Sequence, residues 1–260
     1  MDVQGLLAGI GTGLAGGFTS GLLGVSPGGG LVVFSVLLLG AEQHVAQGIS
    51  LVAQIPPTSL AGIRRYREKA GRPPLRWLVV LATGFVAGGV IGAYAASFAS
   101  RSALQWTYVA YLALLDVMLL LRREHKKADE AQGPIAHDLH WAALSIVGLV
   151  AGWSSGFMGI GGGLATVVGL NALLRVPQHQ AQMISLVLSL IPTTLPSAWV
   201  YWQQGWSSSW WVLAGVIGGL TIGNDIGARL ANRVDHAALR LMMIVFVSAM
   251  AIYMAYNALS

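Results

Sequence analysis

Gln43-His44-Val45-Ala46-Gln47-Gly48-Ile49-Ser50-Leu51-Val52 returns 135 residues later as Gln178-His179-Gln180-Ala181-Gln182-Met183-Ile184-Ser185-Leu186-Val187. Shared leucines alone would follow from any apolar chain. A shared Gln-His-x-Ala-Gln-x-Ile-Ser string does not, and it marks an internal duplication. The register holds without a gap in both directions. Upstream, Gly21 and Gly24 fall on Gly156 and Gly159. Downstream, Pro57-Thr58, Leu60 and Tyr66 fall on Pro192-Thr193, Leu195 and Tyr201. Gly84, Gly88 and Ile91-Gly92-Ala93 then fall on Gly219, Gly223 and Ile226-Gly227-Ala228. One repeat thus occupies residues 1–121 and the other 140–260, with 122–139 as the linker between them.

The composition says what surrounds these repeats. Of the 260 residues, 55% are hydrophobic and 10% charged, against roughly 25% charged in a soluble domain. The mean hydropathy is +0.66. A soluble fold of this size could not hide so much apolar surface, so most of it must face lipid. The pI of about 9.8 does not point to nucleic acid, because the basic residues sit in short loops between apolar stretches instead of forming a patch. With no cysteine in the chain, disulfides, thiolate metal sites and cysteine catalysis are excluded. The first apolar run follows Met1-Asp2-Val3-Gln4 with no basic residue before it, and reads as a retained helix and not a signal peptide.

The fold class expected is an all-α polytopic membrane protein of two inverted five-segment repeats. In the first repeat the apolar segments run over 3–25, 31–40, 45–63, 77–99 and 104–121, and in the second over 140–160, 164–174, 181–201, 210–231 and 239–258. The second segment of each repeat spans about 15 Å, half of a ~30 Å hydrocarbon core. Each follows a glycine cluster, Ser26-Pro27-Gly28-Gly29-Gly30 or Gly161-Gly162-Gly163, as a broken helix starting inside the membrane would. Charge sets the orientation. If every segment crosses or hairpins once, all basic residues except Arg101 gather on one face, which the positive-inside rule makes cytoplasmic. Both termini then face the periplasm of an inner membrane, linker 122–139 is cytoplasmic, and the odd segment number inverts one repeat relative to the other. Trp202, Trp206, Trp210 and Trp211 suit a periplasmic aromatic belt.

A helix that begins within the bilayer leaves backbone N–H groups unpaired and points its positive dipole end at the break. Glycines let an anion come close to those groups, and inverted repeats place such breaks near the midplane. The expected cradle comprises Ser26, Gly28, Gly29, Gly30, Gly161, Gly162 and Gly163. Next to it, Gln47 with Ser50 and Gln182 with Ser185 lie one turn apart, so each pair shares a face. Neutral amides and hydroxyls can hold an anion without trapping it. Packing of small residues and interhelical hydrogen bonds of ~0.6 kcal/mol each are the structural alternatives. His44 and His179, which also repeat, could couple transport to protons. Asp116 and Asp225 are the carboxylates inside segments, and Asp225 can instead pair with Arg229, one turn on. The pair His137-x-x-His140 reads as solvated. No Gly-x-Ser-x-Gly elbow or phosphate-binding loop with lysine occurs.

The doubled pattern resembles the sulfite exporter TauE/SafE family. Gly24-Val25-Ser26-Pro27-Gly28-Gly29-Gly30 and Gly159-Ile160-Gly161-Gly162-Gly163 are similar to its Gly-x-Gly-Gly-Gly element, and Ala46–Leu51 and Ala181–Leu186 to its Ala-x-x-Thr/Ser-Ser-Leu element. One departure stands out: Ser26-Pro27 occupies the place of Gly161-Gly162, so either Gly28 or Gly30 could open the first short helix. The resemblance implies transport of sulfite, organosulfonates or related sulfur oxyanions and carboxylates. The expectation is a secondary transporter, not an enzyme, with two halves rocking about a midplane site. Its partners are a small anion and the lipid bilayer, without nucleic acid, metal or cofactor, and nothing in the sequence sets an oligomeric state. The rivals are a membrane-embedded lipid-phosphate enzyme, which needs buried arginines and carboxylates in pairs, and a cation or metal permease, which needs converging acidic or histidine ligands.

Overall fold

The computed structural model describes residues 2–23, 26–57, 73–121, 139–174, 176, 178–231 and 236–259, in which every regular element is an α-helix. The basic stretch 58–72 and most of the linker lie outside the described residues. The first repeat contributes α1 (Val3–Leu23), α2 (Gly28–Leu39), α3 (Gln43–Ala53), α4 (Leu75–Phe98) and α5 (Arg101–Leu121). The second contributes α6 (Trp141–Met158), α7 (Gly163–Leu174), α8 (Gln178–Leu188), α9 (Leu195–Gln203), α10 (Trp210–Ala231) and α11 (His236–Leu259). A shift of 135 residues carries α2 onto α7 and α3 onto α8, end for end. Gly28, not Gly30, therefore opens the first short helix.

Helices α4, α6 and α10 are long and apolar enough to cross a membrane. The 24 residues of α4 reach about 36 Å, more than the ~30 Å of hydrocarbon. Their outer faces are apolar: Leu75, Ile91 and Phe98 on α4, and likewise Leu241, Val245 and Ile252 on α11, are exposed. The protein is a helical, membrane-embedded one.

One expected segment is corrected. Residues 181–201 are not a continuous helix: α8 stops at Leu188 and α9 begins at Leu195. Between them the chain tightens, with the Leu190 and Ile191 N–H groups donating to Val187 O and Leu188 O at 3.1 and 3.2 Å. Pro192 then has no N–H to continue a helix. In the first repeat α3 likewise stops at Ala53, before Pro56 and Pro57.

The long helices pair through glycine. Along α1, Gly9, Gly13, Gly17 and Gly21 lie against the carbonyls of Val212, Val216, Leu220 and Asn224 of α10. Returning the contact, Gly215, Gly219, Gly223 and Gly227 of α10 lie against the Leu6, Ile10, Leu14 and Phe18 carbonyls. The other pair repeats the pattern, with Gly84, Gly88 and Gly92 of α4 facing Ser145, Leu149 and Trp153, and Gly148, Gly152 and Gly156 of α6 facing Leu81, Phe85 and Gly89. A four-residue spacing keeps each glycine on one helix face, and a methyl there would strike the opposite backbone. Such stripes allow the close backbone contact that drives helix association where lipid competes for every apolar side chain. Each pair joins a helix of one repeat to a helix of the other. A third pair, α5 with α11, is tied by Gln105 Nε2 donating to Asn257 Oδ1 at 2.9 Å and by Ser248 donating to Asp116. The short helices lie among these pairs: α2 against α1 and α3, α7 against α6 and α8, and α9 against α3 and α4.

Candidate functional site

The two glycine breaks are built differently. In the first, Pro27 takes helical angles (φ −66°) just before Gly28, and its carbonyl accepts from Leu31 N at 2.9 Å. In the second, α6 ends on Gly159 at φ 72°, followed by Gly161 at φ 79° and Gly162 at φ 61°. Three left-handed residues in four positions demand glycine, because a Cβ strains that conformation. They turn the chain sharply, so that α7 starts at Gly163. The Thr166 N–H donates to Gly162 O at 2.9 Å as the first intrahelical bond. The N–H groups of Gly163, Leu164 and Ala165 therefore have no acceptor within the helix.

The structure brings these breaks together. Ser26 Oγ lies 2.9 Å from Gln54 Oε1 and 3.1 Å from the Ile160 carbonyl. Ser50 Oγ lies 2.6 Å from Gly159 O and 3.3 Å from Gly28 O, and accepts from Gln54 Nε2 at 3.0 Å. Ser26 also abuts Gly163. A seam of neutral polar groups thus joins the start of one short helix to the start of the other. Across it, the Tyr108 hydroxyl donates to Gly29 O at 2.5 Å. In the second repeat, Ser185 Oγ donates to Gly163 O at 3.0 Å, the counterpart of Ser50 at Gly28.

The two sides of the seam are not equally open. Gly28 packs against the Ile160 carbonyl and the Gln54 amide, which covers the start of α2. At the start of α7 lies a small cleft of about 20 Å³, lined by Gln54, Phe85, Gly161, Gly163, Thr166, Ser185, Leu188, Ser189, Ile191, Thr193 and Thr194. Its polar wall consists of glycine backbone, hydroxyls and one amide, its apolar wall of Phe85, Leu188 and Ile191. Every lining residue is uncharged.

The remaining expected residues are dispersed. Gln47 is fully buried; its Oε1 accepts from the Tyr201 hydroxyl at 2.8 Å, while its Nε2 has no partner among the described residues. Gly30 packs on Thr19 and Gly16. Gln182 is half-buried and does not line the cleft. His44 stacks on Trp206 at 4.1 Å, with Nε2 3.2 Å from the Ala96 carbonyl. The side chain of His179 lies outside the described residues, as does His137, while His140 caps α6 by accepting from Ala142 N at 3.3 Å. Asp116 bonds to Ser248 on α11, and Asp225 pairs with Arg229 at 2.6 Å on an exposed face of α10. Among the described ones, Gln47 packs against Gly159 at the edge of the seam, while His44, His140, Asp116 and Asp225 bond elsewhere.

Gln54 extends the face of Gln47 and Ser50 by another turn, as Ser189 does in the second half, and Tyr108, Thr166, Tyr201, Thr193 and Thr194 are additions to the expected set. Proline within a membrane helix bends its axis, so Pro57-Thr58 and Pro192-Thr193 mark a bend beside Thr193, and Tyr201 shares the register with Tyr66. Tyr108 carries no local signal, because its bond to Gly29 spans 79 residues.

A helical bundle in a membrane, with interrupted helices meeting around a polar cleft, defines the class of polytopic membrane transporters. The chain belongs to the sulfite exporter TauE/SafE family, whose profile matches residues 9–254. It is 29% identical over 265 residues to a "Probable membrane transporter protein" of Xylella fastidiosa strain 9a5c, covering 99% of this chain and 97% of that one. It is also 28% identical over 229 residues to the "Probable membrane transporter protein YdhB" of Bacillus subtilis strain 168, covering 86% and 89%.

Proposed function

We propose that the chain is a secondary transporter that carries a small anion, with sulfite, an organosulfonate or a related sulfur oxyanion as cargo, across the inner membrane by alternating access. Its two repeats, 1–121 and 140–260, lie in inverted topology, joined by a cytoplasmic linker 122–139, with both termini periplasmic. The observation that carries this reading is the meeting of the α2 and α7 amino ends at one seam with an uncharged, donor-lined cleft. The positive dipole end of α7, with first-turn N–H groups that have no acceptor within the helix, favours an anion there. Because no fixed cation among the described residues lines the cleft, release need not break an ion pair there. Ser26, Gly28, Gly29, Gly30, Gln47, Ser50, Gly161, Gly162, Gly163, Gln182 and Ser185 form the substrate path and its supports, and the family and relatives match a transport role. The lipid-phosphate enzyme and the cation permease find less support in an uncharged cleft.

Uptake into proteoliposomes tests the reading. Sulfite, thiosulfate and short sulfonates should compete with one another, and Ser50→Ala and Ser185→Ala should each lower uptake by about tenfold or more, the loss of one buried hydrogen bond to an anion or its cradle. Both rivals require transport or activity to survive Gln47→Ala combined with Gln182→Ala. Failure of all these anions to be carried would sink the proposal.

A further inference from the structure

A second helix amino end lies in the wall of the cleft, and it carries a hydroxyl with no hydrogen-bond partner among the described residues. Thr194 directly precedes α9, whose nine residues start at Leu195. Its side chain is only 6% exposed, it lines the cleft, and its Oγ1 has no hydrogen-bond partner among the described residues. A threonine at this position ordinarily turns its oxygen onto a free N–H of the first turn. Here the backbone is already helical (φ −82°, ψ −14°), and no such bond forms. The first-turn donors are few in any case: Leu195 N donates to Pro192 O at 3.1 Å, and Pro196 has no N–H.

The neighbouring hydroxyls differ. Ser185 donates to Gly163 O at 3.0 Å, Thr166 to Gly162 O at 2.9 Å and Ser189 to Leu186 O at 2.8 Å. Of the five hydroxyl residues that line the cleft, Thr194 is the one whose oxygen is buried with no partner among the described residues. Buried polar groups are nearly always bonded, and an exception at the wall of a cleft marks a donor available to a solute.

We infer that Thr194 and the amino end of α7 form an oxyanion-binding subsite within the second repeat, the Thr194 hydroxyl donating to one oxygen and the unpaired N–H groups of the first turn of α7 to another. This rests on the anion-transport reading and deepens it. The subsite holds its ligand by neutral donors and the positive dipole end of α7, so charge on the ligand is balanced without a cationic side chain from the described residues. Ser59 holds the equivalent place in the first repeat, outside the described residues.

The test uses the full chain in proteoliposomes and radiolabelled sulfite, with thiosulfate and methanesulfonate as competitors. Thr194→Val keeps the shape of the side chain and removes the donor, Thr194→Ser keeps the donor, and Thr194→Ala is run alongside so that a folding failure of the valine variant leaves the comparison intact. The expected result is a KM for Thr194→Val raised about tenfold or more, with Thr194→Ser close to wild type. Without anion the melting temperature of Thr194→Val should stay level or rise, since the deleted hydroxyl has no partner among the described residues, and sulfite should raise the melting temperature of wild type and Thr194→Ser but not of Thr194→Val. An unchanged KM in Thr194→Val and Thr194→Ala overturns the subsite and leaves anion transport standing. A wild type that carries none of the three anions overturns both.

Discussion

At the scale of single residues, the polar groups near the breaks divide into those that hold the seam shut and those left open to a ligand. Ser50 and Gln54 link Gly159 to the first repeat, and Tyr201 holds Gln47. Tyr201→Phe keeps the ring and strands a buried amide oxygen, so we expect a loss of about 1–3 kcal/mol, seen as a lower unfolding temperature in detergent. Little of this division is legible in the sequence. Gln47 and Gln182 are equivalent in the repeat, yet one is sealed under Tyr201 and the other is half-buried away from the cleft. Which way an amide turns depends on the far side of the seam, and Tyr201 is 154 residues from Gln47.

At the scale of elements, the glycine stripes and the breaks decide the packing. Gly88 of α4 and Gly152 of α6 meet the opposite helix with no room for a side chain. Replacing either by leucine should separate α4 from α6 and abolish recovery of folded protein in size-exclusion chromatography after detergent extraction. The same change at Gly218, which faces open space on α10, should be tolerated. The duplicated string, the half-length α2 and α7 and the place of each break were legible because glycine clusters and register are local signals. The interruption between α8 and α9 was legible only as a bend, since Pro192 marks where a helix loses a donor but not how many residues the gap takes. The stripes themselves are written in the four-residue spacing of Gly9, Gly13, Gly17 and Gly21, although which helix they face is not, because small residues fit any close partner.

At the scale of the whole molecule, the orientation proposed from charge can be read in cells. The chain contains no cysteine, so a single Ser209→Cys or Gln132→Cys substitution supplies a unique label site without altering another residue. A membrane-impermeant maleimide should label the first in intact spheroplasts and the second only after permeabilisation; the reverse pattern would invert the topology.

The glycine seams bear on how such a molecule could move. Each one clasps a helix of the first repeat to a helix of the second, α1 to α10 and α4 to α6. For two halves fastened in this way to rock apart as blocks, as the proposed alternating access would have them do, a row of close backbone contacts has to open. While those contacts hold, the paired helices behave as a fixed frame. On the proposed alternating-access reading, we expect the stroke that carries cargo to fall to the short interrupted pieces strung inside it, whose ends are flanked by glycine and proline.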